Sequence, residues 1–173
     1  MTCEPVSAPA CTRKGSPVLL RPHHLLCLQN FRGKGYSPGF VRRMTEIHAL
    51  VSGEAAASDK VRPHPSGDLI PDPSAGKDRP HPVLLVSGRD VLCAACPHCG
   101  ETDCTSANPS RFDALVLSRT GLRIGQRLEE GMESPELPAM NPDMLEACCP
   151  GCKWFEICMR ICLEKKPEKA CCR

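Results

Sequence analysis

The sequence predicts a small, helix-rich α+β domain, with short helices and few strands joined by long loops. Three observations predict it. Apolar residues recur at helical spacing in several short stretches, most of them opened by a proline. Only one short apolar run, Val83 to Val86, reads as a buried strand. The 173 residues include 18 Pro and 13 Gly, which commits much of the chain to loops. Aromatic residues are scarce, with one Trp, one Tyr and four Phe, so the core is small for the length.

The elements follow in order. Residues 1–17 read as a flexible leader, and Cys3 and Cys11 in it have no close cysteine partner. Residues 18–31, VLLRPHHLLCLQNF, read as a short buried helix starting near Pro22, a residue suited to the first helical position. After the loop RGKGYS, Ser37 and Pro38 stand in the order of cap and first helical residue. Phe40, Val41, Met44, Ile47, Leu50 and Val51 then recur at helical spacing, and Gly53 is the expected stop. Residues 52–82 change character: Pro, Asp, Gly and Ser dominate, which predicts a loop or disordered insertion. His64 and His81 in it read as surface histidines. Asn108-Pro109 opens a helix to about Ser118, with Leu115 and Val116 inward and Gly121 beyond its end. Asn141-Pro142 opens another, and Lys153 to Lys165 is helical in pattern. Residues 18–163 thus form a single cysteine-rich domain, and 164–173 a polar tail.

Cysteine usage narrows the chemistry. Fourteen cysteines in a chain this short imply either disulfides in an oxidising compartment or metal in a reducing one. Met1 to Leu20 holds no apolar run of signal-peptide length, and no window approaches the roughly 18 apolar residues of a membrane span. A cytoplasmic protein with reduced thiols is the expectation. The net charge of +2 and the scattered basic residues give no footprint for nucleic acid or a membrane surface.

The cysteines fall in two dense groups. The first is Cys93, Cys96, Cys99 and Cys104, spaced C-x2-C-x2-C-x4-C. That is one residue longer in its last gap than the bacterial ferredoxin run, and it lacks the final proline. The second is Cys148, Cys149, Cys152, Cys158 and Cys162. A C-x-x-C step lets two thiolates converge on one centre and aims backbone N–H groups at the sulfurs. On a helix, Cys158 and Cys162 share one face. Zinc also uses paired C-x-x-C steps, and Cys93, Cys96, Cys149 and Cys152 would make a four-cysteine site. The surplus of nearby cysteines exceeds what one closed zinc site uses, which favours iron–sulfur. In Arg21-Pro22-His23-His24-Leu25-Leu26-Cys27, His23 and Cys27 lie one helical turn apart, with His24 a quarter-turn round. Either the helix holds two satisfied histidines and a buried thiol, or Cys27 is a ligand with a histidine beside it.

Three segments together, RPHHLLCLQNFRGKGYSPGFV, GRDVLCAACPHC and CCPGCKWFEIC, resemble a family of small uncharacterised bacterial and archaeal proteins. That family is a domain of unknown function described as iron–sulfur-binding. The resemblance runs from about Leu20 to Cys158. It points to His23, His24 and Cys27, to Asp90, Cys93 and Cys96, and to Cys149, Cys152, Trp154 and Cys158. It supplies no reaction.

The expectation is therefore a domain organised around a cysteine metal site that binds an iron–sulfur cluster of the 4Fe–4S kind, with a redox or electron-transfer role and a redox protein as partner. Cys93, Cys96, Cys149, Cys152 and Cys158 are the candidate ligands, with Cys27 and Cys104 as further cofactor-binding residues. Two alternatives stand beside it: a structural zinc module that docks a partner, and a cluster-dependent enzyme using His23 or His24 as acid or base. Cluster number and oligomeric state stay open.

Overall fold

The computed structural model describes residues 16–54, 61–63, 69–71, 79–100, 104–106 and 109–164. Cys3, Cys11, His64, Asn108, Cys171 and Cys172 lie outside them, as do most of the leader, parts of the insertion and the tail. The protein is a small, helix-rich α+β fold with the element order β1 (Val18–Leu20), α1 (Pro22–Gln29), α2 (Pro38–Ser52), β2 (Val61–Pro63), β3 (Leu69–Pro71), β4 (Val83–Leu85), α3 (Pro109–Thr120), β5 (Arg127–Leu128), α4 (Pro142–Cys148) and α5 (Phe155–Glu164). Among the described residues, no helix is long and apolar enough to cross a membrane.

β1, β4 and β5 form a three-stranded sheet with β4 in the middle, parallel to β1 and antiparallel to β5. Val18 pairs with Val83 and Leu20 with Leu85, and all four point inward from their strands. Leu128 of β5 pairs with Val83 and is buried too. Val18–Leu20 is thus a strand, not the start of the first helix. Arg21 precedes a proline, and such a residue is pushed out of the α region. Its backbone is extended, at φ −71° and ψ 148°, so the helix begins at Pro22. The insertion also departs from a pure loop: β2 and β3 pair antiparallel within it.

α2 follows its signals closely. The Ser37 hydroxyl accepts from the Phe40 N–H at 3.1 Å, Pro38 sits in the first turn, and Gly53 closes the helix in the left-handed conformation. α4 starts the same way, with the Asn141 carbonyl oxygen accepting from Met144 N–H at 2.8 Å.

Two apolar clusters share α1. Leu25 and Leu28 join Phe40, Met44, Ile47 and Val51 of α2 and the sheet residues in the first. Leu26 joins Val116 of α3, Leu145 of α4, Cys148 and Cys162 in the second. α1 is buried on both sides, with His23 and His24 half-buried in its first turn and Cys27 half-buried between Leu26 and Leu28. Residues 121–140 had no element assigned from sequence. They contain β5 and a 3₁₀ turn at Gly131–Glu133. A Cβ on Gly131 would meet the Val51 carbonyl oxygen at 2.3 Å and that of His81 at 2.7 Å, so only glycine lets this turn close onto the end of α2.

Candidate functional site

Helix α1 has no capping side chain of its own. Two carboxylates from distant segments fill that role. Asp90 Oδ2 accepts the Arg21 N–H at 2.8 Å, and Asp113 Oδ1 accepts the His23 N–H at 3.1 Å. Negative charge at a helix N-terminus is favourable in both hydrogen bonding and dipole terms. The same carboxylates hold the side chains. Asp113 Oδ2 accepts from Arg21 Nε at 2.8 Å and Nη2 at 2.6 Å, and Asp113 Oδ1 pairs with His23 Nδ1 at 2.7 Å. Asp90 Oδ2 pairs with His24 Nδ1 at 2.7 Å.

An ionised carboxylate can only accept, so Nδ1 is the donor of each imidazole to its aspartate. The rings lie 4.2 Å apart at 51°. Burial and the neighbouring His24 lower the His23 pKa to about 4 against the pull of Asp113. For Asp90, burial works upward, but the charge and hydrogen bond of His24 and the N–H groups of Arg21 and Leu92 win, and its pKa falls to about 2.

His23 and His24 line one narrow cavity, together with Arg21, Arg89 and Pro109 and the thiols of Cys93, Cys96, Cys99 and Cys104. It measures ≈ 20 Å³, room for about one water. That both histidines reach it departs from the quarter-turn separation expected on a regular helix. They stand in the first turn, and each ring is swung onto its own carboxylate. Cys93 opens a 3₁₀ turn and is buried. The Asp90 N–H donates to Cys93 Sγ at 3.4 Å, while the thiol faces Asp90 Oδ1 at 3.5 Å. Burial and the Asp90 charge push the Cys93 thiol up to about 12. Burial raises Cys96 as well.

Cys27, one turn beyond His23, keeps different company. Burial raises its thiol pKa well above the usual range, and the charges of Cys149, Cys152 and Cys158 add to the rise. Cys149 is pushed up to about 12 by burial and by Cys152, Cys148, Cys158 and Cys162. α1, the loop after α4 and α5 thus bring these thiols into one neighbourhood. Trp154 N–H donates to Cys152 Sγ at 3.4 Å, and the buried Asn30 amide donates to Cys162 Sγ at 3.1 Å. All ten described cysteines are thiols outside any disulfide.

Tyr36 joins the two groups. Its ring meets His98 of the first loop at 4.7 Å and Trp154 of the second at 5.4 Å, both edge-on. Besides burial, the charges of Cys152, Cys27 and Cys96 raise its pKa. The Lys153 ammonium lies 5.3 Å from its ring centre. Tyr36 and Asp113 were not singled out from sequence as site residues, and Arg21 and Cys99 were named only as members of their motifs. Asp113 carried a signal of its own, a charge three residues before Val116 on the inward face of α3.

The donor set is sulfur-rich, which suits iron–sulfur clusters and zinc and not hard cations. Arg89 Nε, a buried donor with no hydrogen-bond partner among the described residues, adds an electropositive group beside the first thiols. Among the described residues, no group of three or more His, Cys, Asp or Glu side chains is arranged to hold a metal ion. A multi-iron cluster is larger than one ion and holds its thiolates farther apart.

Residues 73–158 match the model of a family described as a protein of unknown function, DUF1284. The matched segment begins ahead of β4, contains both cysteine loops and ends in the first turn of α5, before Cys162. The resemblance read from sequence began earlier, at Leu20; His23 and Cys27 precede the matched segment. No curated protein and no solved structure matches the chain.

Proposed function

We propose that the protein binds an iron–sulfur cluster of the 4Fe–4S kind in a reducing, cytoplasmic setting and exchanges electrons with a protein partner. The observation that carries the reading is the gathering of Cys27 from α1 with Cys149, Cys152 and Cys158, all as thiols. Those four would hold the cluster. Cys93 and Cys96 line the adjoining cavity and would serve a second centre or complete the first. When bound, such a cluster takes up and releases single electrons. The Trp154 N–H on Cys152 would stabilise the sulfur charge that ligation creates. The raised thiol pKa values of Cys27 and Cys149 keep these two protonated in the metal-free protein, so their ligation releases protons.

Anaerobic isolation followed by iron, sulfide and zinc analysis tests the reading. Brown protein is expected, with broad absorption near 400 nm and about four iron per four-cysteine site. Colourless protein with stoichiometric zinc sinks it and leaves the structural zinc module.

A second reading rests on the two histidines lining the same cavity as the first thiols. The site would be an enzyme's, with His23 or His24 as acid or base. It requires that small molecules perturb the cluster spectrum and that His23→Ala or His24→Ala abolish the response. If neither happens in cluster-loaded protein, the histidines are structural.

A further inference from the structure

Cys99 and Cys104 stand directly opposite each other in an antiparallel β-bridge. The Thr105 N–H donates to the His98 carbonyl at 2.8 Å, so the hydrogen bond flanks the two cysteines instead of joining them. They are therefore a non-hydrogen-bonded pair, the kind whose Cα atoms are closest, about 4.5 Å apart, with the side chains drawn together. Disulfides span Cα separations of about 4.4–6.8 Å. Both residues are half-buried and line the cavity beside His23, His24 and Cys96. Ser106 Oγ lies 3.1 Å from Cys104 Sγ and so gives that sulfur a polar neighbour.

We infer that Cys99 and Cys104 form a reversible dithiol–disulfide couple at the cavity, separate from the residues that hold the cluster. The inference rests on the cluster reading only in assigning this pair a different task, which takes Cys104 out of the cofactor-binding set expected from sequence. With hydrogen peroxide as oxidant, one thiol becomes a sulfenic acid and a water leaves. The sulfur of the second thiol then attacks the oxidised sulfur. The S–S bond forms, the S–O bond breaks, and the hydroxide departs as a second water with the proton of the attacking thiol. Two thiols and one peroxide thus give one disulfide and two waters, and a small-molecule dithiol reverses the change.

The sequence makes the product easy to read, because Glu101 lies between the two cysteines. The full chain is treated with peroxide, alkylated and cleaved after Glu101. The expected result is a pair of fragments held together by a Cys99–Cys104 bond that dithiothreitol releases. The bond is lost in Cys99→Ser and in Cys104→Ser, while the double variant keeps the wild-type iron content within about twofold. Recovery of both residues as alkylated thiols, Cys104 bonded to another cysteine, or loss of iron in the double variant would overturn the inference. If the wild-type protein carries no iron at all, the cluster reading fails, and the fragment analysis still decides the dithiol on metal-free protein.

Discussion

Replacing Asp113 with alanine removes four hydrogen bonds at once. Its two oxygens receive the Arg21 guanidinium twice, the His23 N–H and the His23 ring. Arg21 is 3% exposed, so in Asp113→Ala its charge stays buried without its partner. Breaking a buried pair in this way costs about 3–5 kcal/mol. The His23 N–H would also lose its acceptor, which lies within the same figure because the two losses share one relaxation. Against a total stability of roughly 5–15 kcal/mol this is a large share. With a urea m-value of about 2 kcal/mol per molar, the unfolding midpoint falls by about 2 M. Circular dichroism in urea at neutral pH with reductant measures it. Replacing both partners, as Arg21→Met with Asp113→Leu, should cost clearly less than Asp113→Ala, since no charge is left stranded. A loss below about 1 kcal/mol for Asp113→Ala, or a double variant as damaged as the single one, would refute the reasoning.

Other outcomes follow from the same structure. The folded pKa of His23, about 4, lies below its ordinary 6.5, so between those values the unfolded chain binds a proton that the folded chain refuses. Stability is full above pH 6.5 and falls by up to about 3 kcal/mol on acidification to pH 4; His23→Gln should flatten that slope in urea titrations. Gly131→Ala drives a Cβ into two carbonyl oxygens at a backbone with φ +54°, and a lowered melting temperature is expected. Asn141→Ala removes the α4 cap and should cost about 0.5–2 kcal/mol in the same assay.

What the sequence revealed of the fold was local. Ser37-Pro38, Gly53 and Asn141-Pro142 mark their helices by chemistry confined to a few residues, and each mark coincides with an observed boundary. The proline that starts α1 also forces Arg21 to be extended, and that consequence for the preceding strand was missed. β5 is two residues long and earns its place only by pairing with β4, so no periodicity announces it. The candidate site divides in the same way. Clustered cysteines are visible in one dimension, whereas the Arg21–Asp113 contact joins residues 92 apart in sequence and has no local signature. The neighbourhood of Cys27 with Cys149 depends on α1 lying between two apolar clusters, a property of the packing.

The central claim is that Cys27 and the second cysteine loop hold an iron–sulfur cluster together. Iron and sulfide content of anaerobically reconstituted Cys27→Ser, compared with wild type and with Cys148→Ser, tests it most directly. The account predicts that Cys27→Ser loses most of its iron or its cluster stability, while Cys148→Ser, whose thiol is wholly buried beside Met144, keeps the wild-type content. Full iron and an unchanged spectrum in Cys27→Ser would contradict it.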